Sequence, residues 1–397
     1  MQKNIFYIIG FVIFIGCKSI DSIEPNQTET FLKIYGETNN TAARDLLVED
    51  DGYLILMSHD TVSILLKTDL NGNSVWANSY SNFIGNGLAK IDGGYILIGD
   101  SINTEATPTT TMKLIKTDLS GNLENSVSLS TGTALVGLAA TVASTGDIVA
   151  LGRQVYTSDV YETTVLMGYS SDLQETWQSY KEYGAVNTLE SPYHSIYENP
   201  DGSITLATVS VNTQVAFHGI TTYPDNESPI AVPKLLEGAA IVNTTLAKGG
   251  LVQTPVGYAL TQVVNVNGED KIGVSLFDQT VFNNYFIDTL SFDAGNYIPI
   301  AMTNTPNGLL IAGQTDQYKD GADGTRSDKD LFIAEVGYDG KPRTSSMYNT
   351  FGGLSDESPV KIRNAPDGGY LILGDLENTK GAVQVFLLKV NSKGDLN

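Results

Sequence analysis

"KTDLNGNSVW", residues 67–76, returns 49 positions later as "KTDLSGNLEN", residues 116–125, and the chain closes on "KVNSKGDLN", residues 389–397, the same phrase halted before its last strand. A second phrase precedes the first: "EDDGYLIL" (49–56), "KIDGGYILIGD" (90–100), "NPDGSITLA" (199–207), "NTPNGLLIAG" (304–313) and "NAPDGGYLILGD" (364–375). Paler copies are "STGDIVALG" (144–152) and "TPVGYALTQ" (254–262). Aligned on the turn glycine these are Gly52, Gly94, Gly146, Gly202, Gly257, Gly308 and Gly369, spaced by 42, 52, 56, 55, 51 and 61 residues.

Each unit reads as four short strands. An apolar stretch such as "ARDLLVE" or "SPVKIRN" meets a Pro/Asp/Gly turn, and an apolar run such as "GYILIG" follows. After a variable loop comes a third run, "MKLIKTD" or "DLFIAEV", and a D-x-x-G-N type turn then opens a fourth, such as "SVWANSY". Asp and Asn tolerate left-handed backbone and Gly adopts it freely, so these turns make tight antiparallel hairpins. Four-stranded units recurring every 40 to 60 residues or so predict an all-β, seven-bladed β-propeller over residues 30–397. The last unit lacks a fourth strand, while "TFLKIYGE" (30–37) stands before the first unit with none of its own. Phe31 to Tyr35 are therefore expected to close the ring as the outer strand of the C-terminal blade. Two separate β-sandwich domains would require a mid-chain linker, and no such stretch is found.

Strand parity orients the ring. First-to-second and third-to-fourth turns share one face and are short and repetitive. Second-to-third loops share the other face with the blade-to-blade connections and are long and irregular: "SINTEATPTTT" (101–111), "RQVYTSDVYET" (153–163), "QTDQYKDGADGTRSDKD" (314–330) and "FGGLSDESP" (351–359). Variable loops on a rigid scaffold are the usual place for binding.

With 23 Lys and Arg against 45 Asp and Glu, the net charge of -22 argues against nucleic acid and against docking on an anionic lipid surface. The single Cys, Cys17, excludes an intramolecular disulfide. It ends "MQKNIFYIIGFVIFIGC", in which Lys3 precedes an apolar run from Ile5 to Ile15. That run is too short to span a bilayer and suits a signal peptide. "FIGC" (14–17) resembles the lipobox of bacterial lipoproteins, although Phe14 stands where Leu is usual. The resemblance implies a signal peptide over residues 1–16 and acyl chains on Cys17. Residues 17–29 then form the lipidated Cys and a polar, flexible tether. The tether feeds the start of a fourth strand, so the lipid is expected beneath the tight-turn face.

"DGGYILIGD", followed by "MKLIKTDLSGN", is similar to the repeats of lipid-anchored β-propeller proteins common in Bacteroidetes-type outer membranes. The resemblance implies a non-catalytic binding or scaffold subunit of an outer-membrane transport or secretion complex, with a partner on the variable-loop face. It carries no catalytic residues. A glycan-binding lipoprotein for nutrient capture is the alternative reading, and a hydrolase or lyase with carboxylates in the central funnel is a third.

Chemistry-bearing motifs are sparse. There is no G-x-S-x-G elbow, phosphate loop or G-x-G-x-x-G. His59, in a loop, and His194 and His218, in strands of other blades, lack metal-ligand spacing. "SSDLQETW" (170–177) resembles the Asp box of sialidase-type propellers, which closes a third-to-fourth hairpin with Asp capping turn amides and Trp packed between blades. The acidic loop offers Asp320, Asp323, Asp328 and Asp330 as hard oxygen ligands for Ca²⁺, without EF-hand spacing. Tyr156, Tyr161 and Tyr318 could stack on sugar rings, with Asp159 and Asp316 accepting hydroxyl hydrogen bonds, or serve a protein partner.

Overall fold

The computed structural model describes residues 30–36, 40–102, 110–129, 134–155, 162–183, 196–212, 215–223, 234–235, 251–255, 257–266, 268–277, 285–290, 295–316, 328–342, 347–353, 355–377 and 381–396. Among them every regular element is a β-strand, arranged in four-stranded antiparallel sheets whose strands pair in chain order. Sheet 1 holds Thr41–Glu49, Gly52–His59, Val62–Thr68 and Ser74–Ser81; sheet 2 holds Phe83–Ile91, Gly94–Ile102, Thr110–Asp118 and Leu123–Leu129. Sheet 3 holds Ala134–Val142, Ile148–Val155, Glu162–Tyr169 and Glu175–Tyr183; sheet 4 holds Ile196–Glu198, Ile204–Asn212, Val215–Tyr223 and Lys234–Leu235. Sheet 5 holds Leu251–Thr254, Gly257–Val266, Glu269–Phe277 and Tyr285–Leu290; sheet 6 holds Tyr297–Thr305, Gly308–Thr315, Asp330–Gly337 and Tyr348–Phe351. Sheet 7 takes Asp356–Asn364, Tyr370–Glu377 and Val383–Val390 from the end of the chain and Phe31–Tyr35 from its beginning.

Alternation explains why the second strands are apolar throughout. In "GYLILMS" Tyr53, Ile55 and Met57 pack toward sheet 7, while Leu54 and Leu56 pack toward sheet 2. Both faces are covered, so no polar side is needed. Further clusters join sheets 2 and 3, 3 and 4, 5 and 6, and 6 and 7. Sheets 4 and 5 meet where Tyr197 Oη donates to the Leu251 carbonyl (2.8 Å) and Tyr258 Oη donates to Asn199 Oδ1. Each core thus lies between two sheets.

The recurring glycine does two different jobs. Gly94 and Gly308 open second strands, and a Cβ there would run into the third-strand carbonyls of Thr117 and Val336. Gly146 and Gly202 instead have open space around a Cβ but sit at φ 87° and 81°, a region favouring glycine. In the last unit the left-handed residue is Gly368, one place before the aligned Gly369, just as Gly93 stands one place before Gly94.

The D-x-x-G-N turns are closed by side chains. Asp69 Oδ1 accepts from the amides of Asn71 (2.9 Å) and Asn73 (2.8 Å), and Asp118 Oδ1 accepts from those of Ser120 and Asn122 (both 2.8 Å). Each turn also latches the outer strand of the preceding sheet. Asn78 Nδ2 donates to Ser120 O (2.7 Å) and Tyr80 Oη to Gly121 O (2.6 Å). Asn349 Nδ2 donates to Gly394 O (2.8 Å), and Asn125 Nδ2 to Asp172 O (3.1 Å). Tyr35 Oη donates to Gly72 O (2.7 Å) in the same way. The strand Phe31–Tyr35 therefore does for sheets 7 and 1 what Ser74–Ser81 does for sheets 1 and 2.

Candidate functional site

On the variable-loop edge of sheets 2, 3, 6 and 7 a glycine recurs in register in the second strand and is followed by Asp100, Arg153, Gln314 and Asp375, with Ser58 at the same place in sheet 1. Asp375 Oδ1 accepts the Ala43 amide of sheet 1 (2.7 Å), and Asp100 Oδ1 accepts the Gly137 amide of sheet 3 (2.9 Å). Before sheet 7 the matching place on the receiving strand is Pro359, which has no N–H. There Gln314 Nε2 donates instead to the Glu357 carbonyl (3.2 Å). Acid or amide at this position follows from what the next sheet can offer.

Asp100 is perturbed by its setting. Burial pushes its carboxyl up to about 6, against the lowering effects of the Gly137 amide, Asn86, Arg153 and Arg44. Arg44 is the extra residue of a bulge between Ala43 and Asp45, a device that re-aims a side chain. Its Nε donates to Ser58 Oγ (2.6 Å). Burial lowers the Arg44 pKa, opposed by Asp375 and Asp100. Charges of both signs from sheets 1, 2, 3 and 7 are thus gathered and largely matched.

A second cluster is acidic. Asp328 and Asp330 lead into the third strand of sheet 6, and Asp356 and Glu357 open the first strand of sheet 7. The two segments are clasped by the Glu357 amide on Lys329 O (2.8 Å) and the Lys329 amide on Asp356 Oδ1 (2.9 Å). Burial first, then Asp330, Asp328 and Asp356, push the Glu357 carboxyl up to about 8. Crowded carboxylates cannot all ionise together, so one holds a proton at neutral pH.

Among the nominated residues, Asp328 and Asp330 are brought together here, and Asp320 and Asp323 lie outside the described residues. No three His, Cys, Asp or Glu side chains among the described residues are placed to hold one metal ion. Asp316 spends both oxygens on Asn296, accepting from its amide (2.9 Å) and from Nδ2 (2.7 Å). Tyr156, Asp159, Tyr161, Tyr318 and Cys17 lie outside the described residues. His59 is corrected from a loop to the end of a second strand, with Nε2 3.3 Å from Asp60. His218 lies in the strand Val215–Tyr223, and His194 is outside the described residues.

The Asp-box segment closes the third-to-fourth hairpin of sheet 3, and Trp177 packs on the core between sheets 3 and 4. The capping group is Ser170, however, whose Oγ accepts the Gln174 amide (3.2 Å). Asp172 lies two places further on and turns its carboxylate toward Lys116 of sheet 2 (3.7 Å). Leu173, at φ 62°, takes the left-handed place that Gly72 and Gly121 hold elsewhere.

Sequence reading passed over Asp356 and Glu357. The signal was available: "SDKD" and "SDESP" both lie at strand starts on the variable-loop edge of successive units.

No family model matches the chain, and no curated protein matches it. Solved structures do. Drosophila plexin A, in a complex with semaphorin 1b, matches with TM-score 0.52 at 8% identity, over 92% of this chain and 88% of that one. The polysaccharide lyase Uly1 matches with TM-score 0.51 at 12% identity, over 94% of each chain. The phage phi92 endosialidase matches with TM-score 0.51 at 7% identity, over 92% of this chain and 69% of that one. These likenesses establish the fold alone: an all-β, propeller-like arrangement of four-stranded antiparallel sheets. A plexin, a polysaccharide lyase and an endosialidase share it, so the fold carries no activity with it.

Proposed function

We propose that the chain is a lipid-anchored, seven-bladed β-propeller that serves as a non-catalytic binding or scaffold subunit of an outer-membrane protein complex. The seven sheets are its blades, closed into a ring where the first strand completes the last sheet. That pairing, Phe31 opposite Lys389 through Tyr35 opposite Val385, is the observation that carries the reading. Phe31 lies at the tight-turn end and Tyr35 at the loop end, so the described chain begins on the tight-turn face. An anchor at Cys17 then holds that face toward the bilayer and leaves the variable-loop face for a partner. Side-chain locks at both edges of the sheets support a rigid platform, on which loops can vary without loss of the ring.

The test is gentle detergent purification of the tagged protein from its native membrane, with mass spectrometry of what accompanies it, alongside Cys17→Ser. Wild type should bring a stoichiometric outer-membrane protein, and the variant should leave the membrane fraction and lose that partner. Wild type emerging alone would overturn the scaffold role, and a sugar panel would then test glycan capture.

A further inference from the structure

Seven large apolar side chains are exposed among the described residues: Leu32, Ile34, Leu70, Val75, Leu119, Leu123 and Leu396. All belong to three consecutive sheets, 7, 1 and 2, and five of them stand at or just after third-to-fourth turns. Leu70 and Leu119 follow the capping Asp of equivalent turns in sheets 1 and 2. Leu123 and Leu396 stand five places after the first turn residue in sheets 2 and 7, and Val75 six places after it in sheet 1. Val75 and Leu123 are each 61% exposed, and Leu119 54%. The turns do not need these side chains, because Asp69 and Asp118 close them through backbone amides.

The position of this patch coincides with the exit of the N-terminal segment. Thr30 precedes the outer strand of sheet 7, whose Phe31 and Lys33 lie against Gly72 in the turn that presents Leu70. From Cys17 to Thr30 the chain has 13 steps, which reach about 45 Å when extended and roughly 20 Å on average as a flexible coil. A lipid on Cys17 would keep the leucine-bearing edge at high effective concentration over the bilayer and so strengthen a contact that the edge also makes by itself.

We infer that the tight-turn edge of sheets 7, 1 and 2, through Leu70, Val75, Leu119, Leu123 and Leu396, seats in the interface of a zwitterionic bilayer. This rests on the lipid-anchored reading and adds to it a second, non-covalent contact that fixes the tilt of the ring. On the same edge Lys67 pairs with Asp51 (2.5 Å), and Lys116 lies between Glu124 (3.6 Å) and Asp172 of sheet 3 (3.7 Å), so acids and bases are interleaved and the surface the edge fits carries no net charge. Leucines insert at the acyl boundary, while the acids stay in water.

Cys17 is the single cysteine, and once acylated it leaves no competing thiol for labelling. The full-length lipidated chain carrying Leu70→Cys, Leu119→Cys or Leu123→Cys, with Asp60→Cys on the opposite edge as reference, is labelled with a fluorophore in phosphatidylcholine vesicles. Quenching by acyl-chain bromine is then compared with quenching by aqueous iodide. The ratio at 70, 119 and 123 should exceed that at 60 by at least about fivefold. Equal ratios in a protein shown to carry lipid on Cys17 overturn the seat and leave the anchor standing. Disulfide pairing of two copies through 119, in detergent without a bilayer, also overturns it, because a second copy is then the occupant. If Cys17 proves unlipidated, the anchor reading fails, and flotation of the full chain with the same vesicles decides the seat. Binding reduced about tenfold by Leu70→Ser/Leu119→Ser sustains it, and no flotation overturns it.

Discussion

Removing the carboxylate of Asp45 should loosen the seam between the end and the beginning of the chain. Asp45 is 6% exposed, on the first strand of sheet 1. Its Oδ1 accepts the Leu46 amide (2.9 Å), and its Oδ2 accepts the Leu88 amide of sheet 2 (2.9 Å). Lys361 Nζ at 3.2 Å and Arg363 Nη2 at 3.8 Å reach Oδ1 from sheet 7. One side chain therefore ties three consecutive sheets. Burial alone would raise its pKa, but Lys361, Arg363 and the two amides outweigh burial and hold it below the ordinary carboxylate value. Asp45→Ala leaves two cations and two amides without their acceptor, which should cost about 3–5 kcal/mol. For a chain of this length that corresponds to a fall in Tm of about 5 °C. Because the folded pKa lies below the unfolded one, the contribution is complete above about pH 4 and fades as pH falls through the folded value; the variant should lose that acid-dependent part. Urea unfolding followed by Trp76 and Trp177 fluorescence measures the change. Lys361→Met in the Asp45→Ala background should recover part of the loss, giving a coupling of more than about 1 kcal/mol in the double-mutant cycle. Stability within about 0.5 kcal/mol of wild type for Asp45→Ala, or an additive cycle, would refute the seam argument.

Other expectations follow from the same geometry. Gly94→Ala should cost more than Gly93→Ala, although only Gly93 has a positive φ, of 81°, because Gly93 faces open space and Gly94 a carbonyl; thermal melts of the two variants give the order. Glu357 titrates near 8 in the folded chain and near 4.3 unfolded, so the folded state binds the extra proton and stability should fall as pH rises between those values. Glu357→Gln should flatten that fall, and an unchanged Tm-against-pH slope would sink the assignment. Cys17→Ser should release the protein from the membrane fraction, and labels at residues 70, 119 and 123 should report lipid while residue 60 reports water.

Much of the architecture was legible because the repeats are local statements. "KTDLNGN" and "KTDLSGN" write out a turn that closes on its own Asp, and "GYILIG" writes out a strand covered on both sides. Even the strand Phe31–Tyr35 could be placed, since an unfinished sheet at one end of the chain and an orphan strand at the other imply each other. Ser170 taking the capping role from Asp172 was hidden, because a one-letter pattern does not say which residue begins the turn. So was the convergence of Asp356 and Glu357 on Asp328 and Asp330, which are separated by a full strand, a turn and a further strand.

By itself, then, the sequence determined the all-β repeat, its strand order and the pairing of its two ends, since short-range turn chemistry and period-two burial are encoded within each unit. Tertiary structure alone decided which charges meet. Asp45 finds Lys361 and Arg363, Asp100 finds the Gly137 amide, and Glu357 is driven up toward neutrality, because these encounters depend on how one sheet is set against the next. The same setting puts exposed leucines of sheets 7, 1 and 2 on the edge where the strand Phe31–Tyr35 begins, although they lie far apart along the chain.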